Sequence, residues 1–303
     1  GVVGMIFESR PNVVIDCAAL AIKSGNAIIL KGGKEARHSN QVLGEIIAQA
    51  TGQVLPKGSI QVLDSANRAL TQALMSYKHG VDLLIPRGGK KLIDYVYDNA
   101  KVPVVAHFLG LCHTYVHLDA DLSQAKQIII NAKCSRPGVC NAMETLILHQ
   151  GLDQTFVSEL LAELASQGIE LRVDQQLYQT HKQNHPNLNL ASNDDFHTEH
   201  LEKILNIAQV VDHHQAISHI QTHGTNHTEA ILAKDPQAIA DFRQRIDASC
   251  IMVNASTRFN DGGELGLGAE MGISTTKIHA YGPMGASELT TTRFEVTGDG
   301  HTR

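Results

Sequence analysis

Several signatures are missing from this chain of 303 residues, and each absence narrows its class. No apolar run approaches the roughly 20 residues that a membrane-spanning helix needs, so we expect no membrane partner. The net charge is -6 and the basic residues form no stripe, which argues against nucleic-acid binding. The five cysteines are odd in number and lack CxxC spacing, which favours the cytoplasm over a disulfide framework or structural zinc.

Histidine, by contrast, is abundant, with seventeen in the chain. His213 and His214 are adjacent, and His197 and His200 have the spacing of neighbours on a helix face. No cysteine or carboxylate cluster stands beside them in the sequence, as a metal site requires. We therefore predict no metal site.

The first hundred residues alternate apolar strand patterns with helix patterns. The strand candidates are residues 1–7, 27–30, 59–63, 81–85 and 102–106. The helix candidates are residues 11–23, 35–50, 66–77 and 89–99. Continuous apolar strands that alternate with helices predict a parallel sheet covered on both faces.

A second alternating region follows, and 303 residues suffice for about two domains. Its helix candidates are residues 121–134, 152–167, 213–222 and 236–246, and its strand candidates are 145–149, 169–173, 206–211, 228–232 and 249–254. Residues 181–200 are polar and are predicted to form a loop at the surface, and residues 261–272 are Gly-rich. Residues 289–296 predict a β-rich arm that needs a partner strand.

Three strand exits in the first region carry basic or Gly-rich loops. They are residues 8–12, the run Lys31-Gly32-Gly33, and the run Pro86-Arg87-Gly88-Gly89. Free amides and a helix dipole suit such loops to phosphate groups. Neither glycine pair has GxGxxG or P-loop spacing, and each alone is more often an ordinary turn. Their recurrence at one predicted sheet edge favours a ligand site there.

The segment Arg136-Pro137-Gly138-Val139-Cys140-Asn141 places a thiol on a Pro-Gly turn just before an apolar strand. The amides of Cys140 and Asn141 are placed to stabilise an oxygen that becomes negative during attack. Arg136 is expected to favour the thiolate, which is the reactive form. The alternative is an inert, buried cysteine.

The residues resemble those of the gamma-glutamyl phosphate reductases of the aldehyde dehydrogenase superfamily. The resemblance is carried by RPGVCNAMETL at 136–146, by residues 1–12, 24–40, 82–93 and 253–275, and by the tail 279–300. It covers essentially the whole chain. It implies an aldehyde dehydrogenase-like α/β fold with an incomplete Rossmann-type NADP-binding domain at 1–108, a catalytic thiol domain at 109–285 and an oligomerisation arm at 286–303. We expect a further N-terminal portion in the intact protein.

The resemblance also implies a reaction. Glutamyl phosphate is reduced by NADPH to glutamate 5-semialdehyde and phosphate, through a thioester on Cys140, in proline biosynthesis. A homo-oligomer is expected, and glutamate 5-kinase is a candidate partner. Two alternatives stay open: an acyl-phosphate or acyl-CoA dehydrogenase of the same superfamily, and a non-catalytic fragment.

Some site residues are carried over by position. Lys31, with Gly32 and Gly33, matches the cofactor's ribose and 2′-phosphate site, although a solvated turn lysine is the simpler reading. Pro86, Arg87, Gly88 and Gly89 match the cofactor turn, and Glu199 matches the glutamate that holds the nicotinamide ribose. Arg10 stands near the oxyanion position. Arg136 and Arg258 are the candidates for binding substrate, and a structural ion pair is the alternative for Arg258.

One stretch departs from the family pattern. Residues 107–113 read His-Phe-Leu-Gly-Leu-Cys-His, with Phe108 and Leu109 at positions where the family usually has Leu and Asp. The Glu-Leu-Gly-Gly motif of hydrolysing relatives is also absent there. Lack of that base fits an enzyme that avoids hydrolysis, while the lost acidic residue leaves the specificity open.

Overall fold

The computed structural model describes residues 1–8, 10–64 and 67–303. Its first sheet has four parallel strands in the order β3-β2-β1-β4. The strands are β1 (Val2–Phe7), β2 (Ala27–Gly32), β3 (Ile60–Val62) and β4 (Leu83–Arg87). The helices between and after them are α1 (Asn12–Ser24), α2 (Arg37–Thr51), α3 (Ala69–Ser76) and α4 (Lys90–Asn99).

The strand register brings the three predicted loops to one edge of this sheet. Ile6 of β1 lies beside Lys31 of β2 and Pro86 of β4. Phe7 in the next row lies beside Gly32 and Arg87. Since parallel strands all end at the same edge, the loops that follow them meet there, as the sequence predicted.

The second sheet has seven parallel strands in the order β11-β10-β5-β6-β9-β7-β8. They are β5 (Cys112–Val116), β6 (Met143–His149), β7 (Glu170–Val173), β8 (Asn189–Leu190), β9 (Ile204–Val210), β10 (Thr228–Leu232) and β11 (Cys250–Val253). The helices of this part are α5 (Leu122–Cys134), α6 (Gln154–Ser166), α7 (Gln175–His181), α8 (His213–His223) and α9 (Pro236–Arg245).

Aspartates mark where these helices begin. Asp121, Asp153, Asp174, Asp212 and Asp235 are the residues just before α5 to α9, and each side chain accepts a hydrogen bond from an amide of the first turn. Such caps satisfy amides that have no partner inside the helix. The sequence thus sets the start of each helix locally.

Two apolar cores cover the faces of the second sheet. One packs α5 and α6 against residues such as Leu146 and Leu148, and the other packs α8 and α9 against Tyr115 and Ile147. The alternation of side-chain direction along β6 explains why Leu146 and Ile147 reach opposite cores. Both faces are buried, as the continuous apolar strands indicated.

Some sequence predictions are corrected. Residues 102–106 form no strand; only an isolated bridge joins Val104 to Leu84, because Pro103 has no N–H to continue a ladder. The central strand β5 was missed, since His113, Thr114 and Tyr115 hide its buried character. Ser9 and Ala66, which two predictions included, lie outside the described residues.

The C-terminal segment returns to the first sheet. Met271, Met284 and Leu289 join its core, next to the short antiparallel pair β12 (Ile273–Ser274) and β13 (Gly282–Pro283). The arm expected over 289–296 forms no strand within the chain, and Phe294 is fully exposed. A strand needs a partner to satisfy its backbone groups. Among the described residues, no helix has the length and apolar character to cross a membrane.

Candidate active site

A single cleft of about 520 Å³ gathers most of the residues that the sequence singled out. It lies where the carboxyl ends of β1 and β4 face the amino ends of β6 and β9. The predicted residues that line it are Arg10, Pro86, Arg87, Gly88, Gly89, Arg136, Cys140, Asn141, Glu199 and Arg258. Lys31, Gly32 and Gly33 are not among the residues that line this cleft.

Cys140 lies on the turn between α5 and β6 and is partly buried. The pKa of its thiol is raised to about 12, mainly by burial and then by Glu199 and Glu270, whereas Arg87 acts to lower it. The expectation that an arginine would hold the free thiol as a thiolate is therefore wrong in its net direction. The arginine that acts on the thiol is Arg87 rather than Arg136, because the fold brings β4 to this turn.

The stretch that departs from the family pattern lies directly behind Cys140. A Cβ on Gly110 would come within 2.1 Å of the Cys140 carbonyl oxygen, so only glycine fits there. The thiol of Cys112, which is fully buried, donates to that same oxygen at 3.1 Å. Phe108 lines the cleft and contacts Tyr97 edge to face. This stretch therefore fixes the backbone of the cysteine turn.

Glu199 lies in the cleft beside the thiol and is held at both ends of its segment. Its Oε1 accepts a hydrogen bond from the Gly110 amide at 2.9 Å, and burial raises its pKa. Two residues on, Leu201 has a φ of 53°, in the left-handed region that is unfavourable for a bulky residue. The Leu201 amide donates to Glu144 Oε1 at 3.1 Å. This bond helps to hold the strained backbone that carries Glu199 into the cleft.

Glu144 in turn belongs to a fully buried ion pair. Lys133 Nζ lies 3.0 Å from Glu144 Oε2, and both side chains are almost entirely inaccessible. Burial raises the pKa of Glu144 to about 7, and Lys133 opposes that effect. Neither residue was predicted as functional. Their sequence signal is weak, since a lysine near the end of a helix usually lies at the surface.

Asn141 and Arg258 form one unit on the far wall of the cleft. The Asn141 side chain accepts from Arg258 Nη1 and donates to the Asn260 carbonyl at 3.0 Å. Thr257 Oγ1 donates to the Asn141 carbonyl at 2.7 Å. None of these bonds uses the backbone amide of Asn141. This amide donates to no backbone carbonyl among the described residues. The amide is thus available for an oxyanion, while the side chain is structural.

Arg258 retains donor capacity. Its Nε is buried and has no hydrogen-bond partner within the described part of the chain, although the residue lines the cleft. A guanidinium donor left without a partner fits a carboxylate or phosphate oxygen. The structural ion pair considered for Arg258 is not found among the described residues, where the partner of its Nη1 is the neutral Asn141.

The turn after β4 resembles an anion site at a helix start. The Gly89 amide, just before α4, donates to Glu8 Oε2 at 3.1 Å. A Cβ on Gly88 would lie 2.5 Å from that oxygen. Arg87 Nη1 donates to the Met271 carbonyl at 3.0 Å, which ties the C-terminal segment to the turn. A carboxylate therefore already occupies the place where the α4 dipole favours negative charge.

Lys31 lies farther along the same sheet edge. It is 5% exposed, its Nζ donates to the Gly32 carbonyl at 3.1 Å, and burial lowers its pKa. The solvated lysine that served as the simpler reading is therefore excluded. A buried cation at the end of β2 fits the ribose or phosphate end of a dinucleotide.

Glu270 and His107 are among the cleft residues that had no predicted role. Glu270, from the Gly-rich run, accepts from the Gly262 amide at 2.9 Å and raises the pKa of the Cys140 thiol. His107 lines the cleft, and burial together with Arg87 lowers its pKa to about 4. The run of glycines around Glu270 was visible in the sequence, but nothing there indicated which thiol it would approach.

A thiol at such a cleft between two α/β units is the arrangement of one large class of enzymes. Residues 1–182 match the model of the aldehyde dehydrogenase family. The chain therefore belongs to the aldehyde dehydrogenase family, which implies a nicotinamide cofactor.

The similar proteins are more specific. The chain is 46% identical to the gamma-glutamyl phosphate reductase of Nautilia profundicola and 48% identical to that of Streptococcus suis. Each match covers 100% of this chain and 73% of the relative. The crystal structure of gamma-glutamyl phosphate reductase from Thermotoga maritima matches with a TM-score of 0.95 and 41% identity, over 100% of this chain and 72% of that one. Within its family, the chain thus belongs with the gamma-glutamyl phosphate reductases.

A more distant likeness shows the fold alone. An acetylating aldehyde dehydrogenase from Geobacillus thermoglucosidasius matches with a TM-score of 0.73 and 21% identity, over 100% of this chain and 76% of that one. The aldehyde dehydrogenase-like α/β fold expected from the sequence is confirmed by these matches.

Proposed function

We propose that this chain reduces gamma-glutamyl phosphate to glutamate 5-semialdehyde with NADPH and releases phosphate. The relatives' name supports the substrate. The observation that carries the proposal is the cleft that holds both the Cys140 thiol and the unpartnered donor of Arg258. A substrate with a carboxylate and an acyl phosphate brings anionic groups to such donors.

In the first half of the reaction, Cys140 Sγ attacks the acyl carbon. The S–C bond forms, the bond from carbon to the phosphate oxygen breaks, and the thiol proton leaves with the phosphate. The thioester that remains splits one difficult step into two easier ones. The Asn141 amide stabilises the negative oxygen of the tetrahedral intermediate, an effect of roughly 3–4 kcal/mol where a single such donor has been removed elsewhere. Arg10 lines the same cleft and is the second candidate donor.

In the second half, NADPH bound in the cleft would supply the hydride that reduces the thioester carbon. Collapse of the resulting alkoxide forms the carbonyl of the aldehyde and breaks the S–C bond, and the departing sulfur takes up a proton, which restores the Cys140 thiol. Glu199, whose carboxylate accepts from the Gly110 amide, is the residue we assign to the nicotinamide ribose. No residue of the 107–113 stretch offers a carboxylate that would activate water on the thioester.

The residues at the sheet edge fit a phosphorylated dinucleotide. The Gly89 amide at the start of α4 donates to Glu8 Oε2, so Glu8 has to move before a diphosphate is stabilised there by amides and by the helix dipole. Lys31 is the cation assigned to the adenosine ribose and its 2′-phosphate, which favours NADP over NAD. Gly32 and Gly33 continue that loop.

The wider assignment follows the relatives. The reaction belongs to proline biosynthesis, and we place it in the cytoplasm. Residues 286–303 are assigned to an oligomerisation arm, because Phe294 and Val296 are exposed and pair with no strand in the described part of the chain. Glutamate 5-kinase, which makes the unstable acyl phosphate, is the proposed partner.

The test is phosphate-dependent reduction of NADP with glutamate 5-semialdehyde. Activity that requires phosphate and disappears in Cys140→Ala, while NADPH still binds, supports the proposal. Cys134→Ala, which removes a thiol that does not line the cleft, is the control and should keep the phosphate dependence. Activity with CoA in place of phosphate would favour the acyl-CoA alternative. A lack of activity with both phosphate and CoA, in a chain that still binds NADPH, would favour a non-catalytic fragment.

Arg258 is tested by separating binding from chemistry. Arg258→Gln keeps a hydrogen-bond donor for Asn141 but removes the charge, so KM for the semialdehyde should rise more than kcat falls. An unchanged KM would contradict the substrate-binding role.

A further inference from the structure

The seven-stranded sheet carries a second cluster of reactive side chains at the edge opposite Cys140. Cys140 precedes β6, and the cluster lies beyond the carboxyl end of the same sheet, where α8 begins. Since β6 has seven residues, the two ends of the strand are roughly 20 Å apart. The cluster consists of His213, His214 and Asp241, and no step of the proposed reaction uses it.

We propose that His213, His214 and Asp241 form a binding site for a divalent transition metal, and that Zn²⁺ is the ion that fits it best. One ligand atom from each residue lies within 4.8 Å of the others. His213 Nε2 and Asp241 Oδ2 are 3.1 Å apart. Zinc bonds of about 2.0–2.2 Å in a tetrahedral arrangement place ligand atoms roughly 3.4 Å apart. The pair is thus already near ligand spacing.

The fold, rather than the sequence order, completes this donor set. His213 and His214 begin α8, whereas Asp241 comes from α9, which packs beside it. The prediction of no metal site rested on the lack of a carboxylate beside the histidines, and packing of the two helices supplies one. Two imidazoles and one carboxylate form a set that zinc accepts with water in its fourth position.

Neighbouring groups orient the ligands as metal sites require. Gln237 Nε2 donates to Asp241 Oδ1 at 2.7 Å, which leaves Oδ2 turned toward His213. Outer-shell bonds of this kind fix the orientation of metal ligands. His214 is exposed, so an ion can enter from solvent.

One contact opposes the metal and gives the proposal its sharpest test. Arg245 Nη1 lies 2.8 Å from His214 Nδ1 and donates to it. A metal on Nδ1 would displace this donor. A metal on Nε2 would require a proton on Nδ1, which would then face the guanidinium as a second donor. In both cases Arg245 must move, so it competes with the ion for His214.

His149 offers a matched control. It ends β6 near the cluster, and its Nδ1 accepts from the Gly151 amide at 2.9 Å. The proton of its neutral ring is therefore on Nε2, which leaves no free lone pair for a metal. His149→Gln should leave metal binding unchanged.

The experiment is a titration of the EDTA-treated, dialysed full chain with Co²⁺, followed by visible absorption and then by competition with Zn²⁺. We expect one equivalent to bind with nitrogen and oxygen ligation and without thiolate charge-transfer bands. His214→Gln and Asp241→Asn should each weaken binding by at least roughly tenfold, since even the loss of outer-shell partners costs about 10–100-fold. Arg245→Gln should tighten binding several-fold.

The outcomes separate cleanly. Absence of saturable binding, thiolate ligation, or equal binding by His214→Gln and Arg245→Gln would overturn the proposal. So would loss of binding in His149→Gln. Far-ultraviolet circular dichroism of each variant without metal shows whether the helices are intact, and the exposed His214 makes that variant the least disruptive. None of these readouts depends on the enzymatic activity.

Discussion

The reactivity of Cys140 depends first on burial, which raises the pKa of its thiol, and then on opposite charges that flank it. With a pKa of about 12, the thiolate fraction at about pH 8 is only about one part in ten thousand. Since the thiolate is the nucleophile, alkylation by iodoacetamide should speed up about tenfold for each unit of pH between about 7 and 10. A thiol with an ordinary pKa would reach its plateau within that range.

The two flanking charges should shift this rate in opposite directions. Glu199 raises the pKa of the thiol and Arg87 lowers it. Removing a charge close to a titrating group typically moves its pKa by about one unit or more, which is about 1.4 kcal/mol. We therefore expect Glu199→Gln to alkylate roughly tenfold faster than the parent and Arg87→Gln roughly tenfold slower. Arg87→Lys keeps the charge and should stay near the parent rate.

The assay needs to resolve Cys140 from the other thiols. Cys134 lies on the same tryptic peptide, because cleavage after Lys133 is followed by an Arg136-Pro137 bond that trypsin spares. A Cys134→Ser background removes that ambiguity, and peptide mass spectrometry then follows Cys140 alone. Rates that change in the same direction in Glu199→Gln and Arg87→Gln would refute the electrostatic reasoning. A parent rate that levels off below about pH 9 would refute the raised pKa.

Three further changes test the rest of the site and the fold. Gly110→Ala should abolish turnover, because its Cβ would meet the Cys140 carbonyl at 2.1 Å. Gly138→Ala on the neighbouring turn should retain turnover, because the nearest contact of its Cβ is at 3.5 Å. Equal activities of the two variants in a steady-state assay would contradict this reasoning. Lys133→Met should lower the free energy of unfolding, measured in urea, by about 3–5 kcal/mol, because it leaves a buried carboxylate unpaired. Adding Glu144→Leu to the same chain should recover most of that loss. Burial lowers the pKa of His219 to about 3, so its neutral ring stabilises the fold fully above about pH 6.5 and less as the pH falls toward 3. In urea unfolding at a series of pH values, the free energy of unfolding should fall less steeply toward acid pH in His219→Gln than in the parent. An unchanged dependence on pH would count against a buried neutral ring.

Part of this site could be predicted because its signals are local. The Pro-Gly turn before β6 identified Cys140, and glycine with basic residues after β4 identified the turn at Arg87. Lys31 was also placed correctly at the end of its strand, but its burial was not foreseen. Arg258 and Glu199 came from family resemblance, since neither carries a distinctive local pattern.

The sequence by itself indicated most of the helices and parallel strands, although not β5, α7 or β8, and it contains the aspartates that start α5 to α9 and the turn that presents Cys140. Periodicity, capping and turn chemistry act over a few residues, so they are legible along the chain. Only the tertiary structure decided how far the thiol is buried and which charges face it, and therefore that its pKa is raised rather than lowered. Likewise, only the tertiary structure decided that Asp241 lies beside His213. Electrostatic and ligand interactions depend on distance in space, and packing joins residues that the sequence keeps far apart.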